Sequence, residues 1–144
     1  SPEARAAVEA RAAEIRSGEL DSAAPLARWF TRTASERAAR EATAGWLRAV
    51  SPEGYATAYT AFATGDETYA NRIGDIQAPL LALTGSGDGN STPAMARAIA
   101  EAAQNGTTKI IEGHRHMAHL TAPNLVNHAL ANWLFQPFPR EVAS

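Results

Sequence analysis

The pattern of hydrophobic and polar positions changes its period about halfway along the chain. Up to about residue 75, apolar residues recur at spacings of three and four, as on one face of a helix. Helix start and stop signals predict four helices: from Ser1-Pro2 to Gly18, over 23–30, from Ser35 to about 50, and from Pro52 to Gly65. We expect Trp46 and Leu47 to lie on the apolar side of the third helix.

The second half of the chain alternates short apolar runs with helix signals. Residues 79–84 form a continuous apolar run ended by a glycine-rich stretch, which is typical of a buried strand. Thr92-Pro93 begins a helix to about residue 104, residues 107–112 form a second strand, and Pro123 begins a last helix through Trp133. This strand-helix-strand-helix order predicts a parallel pair of strands. Two strands make a poor sheet alone, so we expect further strands elsewhere.

Chemically capable side chains follow each of the two predicted strands. Asp88 lies in the loop after the first strand, and His114, His116 and His119 follow the second. The carboxyl ends of parallel strands share one edge of a sheet, where ligands of open α/β folds bind. The sequence therefore predicts that a carboxylate and an imidazole meet there, which is how an orienting acid holds a catalytic histidine.

These features resemble a known family. Residues 76–134 resemble the closing segment of α/β-hydrolases: a buried strand, an acidic loop, a Thr-Pro helix start, a second strand and a Gly-x-x-His turn. Residues 11–18, 28–31 and 52–66 resemble the helical lid of 3-oxoadipate enol-lactonases. The resemblance implies an α/β class, with residues 1–75 as a helical lid and 76–144 as a C-terminal βαβα portion. A separate N-terminal segment would complete the sheet.

The resemblance also implies roles for particular residues. Asp88 falls on the acid of a Ser-His-Asp triad, His116 on its base, and Trp29 on the lining of the substrate pocket. The implied activity is hydrolysis of a carboxylic ester or lactone, with no cofactor and no metal. The Gly-x-Ser-x-Gly motif and the oxyanion-hole loop are absent from these 144 residues, so we expect the N-terminal half of the hydrolase, as a partner segment, to supply them. Three residues separate Asp88 from Thr92, where enol-lactonases usually have two, which leaves the substrate open.

Other readings of the same residues stay open. Ser91, near a helix start, and Ser1, with its own amine as base, are alternative nucleophiles. Asp88 could be a turn residue and His116 a structural histidine. The three histidines of the second loop invite comparison with a metal site, although their spacing differs from the helical zinc motif. The alternative function from another class is a non-catalytic helical module for binding or assembly.

Composition narrows the function classes. The chain has no cysteine, which excludes disulfides and a thiolate nucleophile. Its net charge of −2 includes no basic block, so nucleic acid is not an expected partner. No apolar run is long enough to span a bilayer, and no apolar block opens the chain, so a cytoplasmic location is the default expectation. Charged residues between Arg5 and Arg40 predict a solvated helix face with pairs such as Glu36–Arg40.

Overall fold

The computed structural model describes residues 2–17, 23–65 and 68–136. The predictions that involve Ser1, Gly18 and Asp66 lie outside these residues. The helices and strands, in chain order, are α1 (Pro2–Arg16), α2 (Ala23–Trp29), α3 (Arg37–Ala49), α4 (Pro52–Gly65), β1 (Leu80–Gly85), α5 (Pro93–Ala102), β2 (Gly106–Ile111), α6 (Ala118–Thr121) and α7 (Pro123–Leu134). Two 3₁₀ turns, Ala34–Glu36 and Ala70–Asp75, precede α3 and β1.

The first part of the chain is helical, as its periodicity predicts. α1 packs against α4. Ala12 and Ile15 of α1 and Ala56 of α4 are almost fully buried, because residues three or four apart lie on the same face of a helix. Small side chains at two of these positions are typical of helices that pack closely.

Two predictions for this part of the chain are wrong. Leu47 is buried in α3 as expected, but its neighbour Trp46 is 59% exposed. Successive helical residues point about 100° apart, so only one of the pair faces the interior. Glu36 is only 4% exposed and therefore does not belong to a solvated face. Its carboxylate accepts hydrogen bonds from the Thr31 backbone and hydroxyl.

The second part is the predicted βαβα unit. β1 and β2 are parallel, with a register that runs from Leu80 opposite Gly106 to Gly85 opposite Ile111. In the described part of the chain they form a two-stranded sheet. Both strands are shifted by one residue from the predicted ranges, and the short helix α6 was not predicted.

Helices cover both faces of this sheet. On one face, Ala82 of β1 packs with Ala96 and Ala100 of α5. On the other face, Ile111 of β2 packs with Val126 of α7 and with residues of α6. This cover explains why the sequence of β1 is a continuous apolar run and does not alternate apolar with polar residues. No helix within the described ranges has both the length and the apolar character needed to cross a membrane.

Candidate active site

The two loops that leave the carboxyl ends of β1 and β2 bring Asp88 and His116 into contact. Asp88 Oδ2 lies 2.8 Å from His116 Nδ1, within hydrogen-bond distance. The acid side chain is 3% exposed and the histidine side chain is 30% exposed. The carboxylate is thus held inside the protein while part of the imidazole remains accessible from outside.

Asp88 is fixed by hydrogen bonds from its own loop. The backbone N–H groups of Asn90 and Ser91 donate to Oδ1, at 2.7 and 3.0 Å. The hydroxyl of Thr84, near the end of β1, faces two acceptors: Oδ2 of Asp88 at 3.0 Å and the carbonyl oxygen of Ser91 at 2.7 Å. Both carboxylate oxygens therefore have partners, which sets the orientation of the acid before any ligand binds.

The same contacts determine the charge of Asp88. Burial acts to raise the pKa of its carboxyl group, but the hydrogen bonds from His116, Ser91 and Asn90, with the charge of the His116 ring, outweigh burial and lower the pKa. The group is therefore a carboxylate at neutral pH and can only accept hydrogen bonds. It follows that His116 Nδ1 carries a proton, which leaves Nε2 of the neutral ring as the nitrogen that can accept one.

The two loops are joined by backbone contacts. Gly87 N–H donates to the carbonyl of His114 at 2.9 Å, and Gly113 N–H donates to the hydroxyl of Ser86 at 2.9 Å. Gly113 adopts a φ of 77°, a conformation that glycine reaches without steric cost. It turns the chain just after β2, so that His116 faces the loop of the first strand.

Known proteins resemble most of this chain in sequence and in fold. No family model matches the chain. Over 131 residues it is 47% identical to the (E)-2-((N-methylformamido)methylene)succinate hydrolase of Acinetobacter baylyi, a match that covers 91% of this chain and 50% of the relative.

Two solved structures have a similar fold. One is a thermophilic esterase from Thermogutta terrifontis with malate bound, with a TM-score of 0.76, 23% identity, and coverage of 93% of this chain and 50% of that one. The other is the enol-lactonase from Burkholderia xenovorans LB400, with a TM-score of 0.72, 25% identity, and coverage of 88% and 49%. The chain has the fold of part of an α/β-hydrolase.

The chain spans about half the length of the relatives that it matches. It corresponds to the C-terminal portion of the α/β-hydrolase fold, as the resemblance of residues 76–134 predicts. The helices and the two strands agree with that position in the fold.

Trp29 also lies at the candidate site. Its ring centroid is 5.7 Å from that of His116, and the two planes are inclined by 32°. Trp29 is the last residue of α2, so the helical part of the chain reaches the imidazole. The structure thus brings Trp29, a candidate from the sequence, next to the imidazole of His116.

The remaining candidates from the sequence lie elsewhere or have other partners. His114 Nδ1 lies 2.8 Å from the Thr121 hydroxyl and 3.9 Å from Glu36 Oε1. His119 is exposed on α6. The described residues contain no group of three His, Asp or Glu side chains that could hold a metal ion. Ser91 uses its backbone N–H and carbonyl to hold the acid loop.

Two residues around the site, Thr84 and Glu36, were missed in the sequence, and Arg115 was recognised only as a neighbour of His116, without its contacts. Thr84 had a signal, because it is a hydroxyl group in an otherwise apolar strand. Arg115 donates from Nη1 to the carbonyls of Ala27 and Phe30, which are more than 80 positions away in sequence. No local pattern indicates a contact of that kind.

Proposed function

We propose that this chain supplies the acid and the histidine of a hydrolase that acts on carboxylic ester or lactone bonds. The observation that carries the proposal is the contact of buried Asp88 with Nδ1 of partly exposed His116, in the loops after two parallel strands. The esterase and the enol-lactonase among the similar structures support this substrate class.

The nucleophile in this proposal is a serine on a segment outside these 144 residues. The relatives are about twice as long as this chain, which leaves room for such a segment and for the rest of the sheet. In the described residues, no serine hydroxyl forms a hydrogen bond with His116. The same segment would carry the backbone donors of an oxyanion hole.

In the proposed reaction, the pair transfers a proton and stabilises the charge that develops. His116 Nε2 takes the serine proton as the serine oxygen attacks the carbonyl carbon of the substrate. Asp88 holds the ring and stabilises the imidazolium that forms. The ring returns the proton to the leaving oxygen as the bond between carbon and that oxygen breaks. A water molecule then attacks the acyl carbon, with His116 again as base. The bond between that carbon and the serine oxygen breaks, and the ring returns the proton to the serine.

The helical part is assigned the role of a lid in this proposal, with residues 1–75 as the lid and 76–144 as the core portion. Trp29, at the end of α2, would form a wall of the substrate pocket next to His116. Its apolar ring would shield the reacting carbonyl from water, which strengthens the electrostatic contacts made there.

A second candidate substrate comes from the identity of 47% to the succinate-derivative hydrolase of Acinetobacter baylyi. We propose (E)-2-((N-methylformamido)methylene)succinate as a substrate to test beside esters and lactones. The same pair of side chains would serve as base and orienting acid. A higher kcat/KM for this compound than for a simple ester would identify it as the preferred substrate. The role of His116 as base would be the same for either substrate.

The test is made on the native protein, with each of its chains weighed by mass spectrometry. We expect hydrolysis of a chromogenic short-chain ester or a lactone, and a loss of about three orders of magnitude in kcat/KM for His116→Ala. His119→Ala, an exposed histidine three residues away, is the matched control and should keep its activity. Full turnover by His116→Ala would contradict the assignment of His116 as the base. Full activity of a solitary chain of this mass would refute the separate nucleophile segment.

A further inference from the structure

We propose that Arg115 is a positioning residue that holds the ring of Trp29 against the imidazole of His116. The inference rests on the proposed function, because that function gives His116 the proton transfer and Trp29 the neighbouring pocket wall. It assigns a specific task to a residue of the histidine turn that has no chemistry of its own in the reaction.

The contacts of Arg115 bracket Trp29. Its Nη1 donates to the carbonyl of Ala27 at 2.9 Å and to the carbonyl of Phe30 at 3.1 Å. These carbonyls belong to the last turn of α2 and to the residue after it, where helix carbonyls lack partners from their own helix. A guanidinium group there satisfies both and also interacts favourably with the negative end of the helix.

The chain after Trp29 explains why the Ala27 carbonyl is available. In a continuing helix, the N–H of Thr31 would donate to it. Here that N–H donates to Oε2 of Glu36, and the Thr31 hydroxyl donates to the same oxygen at 2.7 Å. Glu36 thus ends the helix and leaves a carbonyl for Arg115 to bind.

A second contact joins the same two segments. Oε1 of Glu36 lies 3.9 Å from Nδ1 of His114, the residue that precedes Arg115. Glu36 is 4% exposed and Phe30 is 2% exposed, so buried groups anchor the segment that follows Trp29. The histidine turn therefore contacts this segment through two adjacent residues.

The consequence is a fixed distance between the Trp29 ring, the proposed pocket wall, and the His116 ring, the proposed base. Arg115 is next to His116 in sequence. The same turn therefore carries the imidazole of His116 and the guanidinium that holds the segment of Trp29 opposite it. When the guanidinium is removed, the backbone of Ala27 and Phe30, on either side of Trp29, loses its hydrogen bonds to the histidine turn, and the distance between the Trp29 ring and the imidazole is no longer fixed by them. We expect the main effect on substrate binding and orientation, because Asp88 still holds His116.

The first experiment measures the stacking directly and does not depend on activity. In NMR spectra of protein labelled with ¹³C-histidine, the ring current of Trp29 shifts the resonances of the His116 ring protons. The Trp29→Leu variant gives the reference resonances without this ring current. We expect Arg115→Met to move these resonances most of the way to that reference, and Arg115→Lys to restore much of the displacement. Arg97→Ala, on the exposed side of α5, is the control and should leave them unchanged. Unchanged resonances in a folded Arg115→Met protein would overturn the inference.

The second experiment is a kinetic cycle. Arg115→Met should raise the KM for the ester or lactone about tenfold, with a smaller change in kcat, because binding contacts are lost. The double variant Arg115→Met with Trp29→Leu should lose no more kcat/KM than Trp29→Leu alone, since the arginine acts through the Trp29 ring. Additive losses would contradict the inference. If the native protein hydrolyses none of the substrates, the proposed function fails, while the resonance experiment still decides the role of Arg115.

Discussion

The hydroxyl of Thr84 lies 3.0 Å from Oδ2 of Asp88, the same oxygen that contacts His116. Thr84 is 6% exposed and belongs to β1, so a strand that builds the sheet also holds the acid of the candidate site. The hydroxyl also lies 2.7 Å from the carbonyl of Ser91, which connects the two ends of the acid loop. Fold and site are therefore coupled at this one side chain.

The role of the Thr84 hydroxyl can be tested with an apolar side chain of the same shape. Thr84→Val leaves the buried carboxylate of Asp88 and the Ser91 carbonyl without this donor, and we expect a loss of about 1–3 kcal/mol in the free energy of unfolding. Thr84→Ser keeps the hydroxyl and should lose about 1 kcal/mol or less, for the missing methyl group. Urea unfolding followed by circular dichroism measures both. Equal stability of the valine variant and the wild type would show that the hydroxyl contributes nothing.

Asp88 should make the stability depend on acidic pH. Its folded pKa is lowered from the ordinary value of 3.8, since its hydrogen bonds and the His116 ring outweigh burial. The stability that the charged form contributes is complete above that value and is lost as the pH falls through the lower folded pKa. The difference in unfolding free energy between wild type and Asp88→Asn should thus be constant near about pH 5 and shrink on further acidification.

Urea titrations of both proteins at several acidic pH values check this prediction. A difference that stays constant, or grows, as the pH falls would contradict the lowered pKa.

In the active protein we also expect Asp88→Asn to reduce kcat by about 10³–10⁴, because an amide can stabilise the wrong tautomer of His116.

Gly85 should not tolerate a side chain. A Cβ atom there would lie 2.3 Å from the carbonyl oxygen of His114 and 2.5 Å from that of Arg115, both in backbone that cannot move freely. We expect Gly85→Ala to cost about 1–3 kcal/mol in stability. The displaced turn should also lower kcat/KM by about tenfold or more.

Gly89 provides the matched control in the same loop. An added Cβ atom there has no neighbour within 4 Å. Gly89→Ala should therefore change the unfolding free energy by less than about 0.5 kcal/mol. Thermal or urea unfolding of the two variants side by side gives the comparison, and equal effects would show that the close approach at Gly85 is relieved without cost.

Several features of the fold were predictable because their signals are local. Thr92 precedes Pro93, and its hydroxyl accepts a hydrogen bond from Met95 N–H at 3.3 Å, as a helix cap should. The strand-helix-strand-helix order predicted two parallel strands, and their adjacency implied that the loop of Asp88 meets the loop of His116. The candidate pair followed from chain order and from the geometry of parallel strands.

Other features were not predictable from local pattern. Trp46 and Leu47 are adjacent and both apolar, yet the direction in which α3 faces decides that only Leu47 is buried. Glu36 looks like a surface residue, but it is buried because Thr31 and His114 lie where the chain folds back. A charge pattern in sequence carries no information about such distant partners.

The sequence by itself determined the order of helices and strands, the parallel pairing and the edge at which Asp88 and His116 meet, because periodicity, caps and chain connectivity are local properties. Only the tertiary structure decided which groups surround that pair. The ring of Trp29 on His116, the hold of Arg115 on the end of α2 and the burial of Glu36 all join segments distant in sequence. Packing in three dimensions selects such contacts, and no short stretch of the chain encodes them.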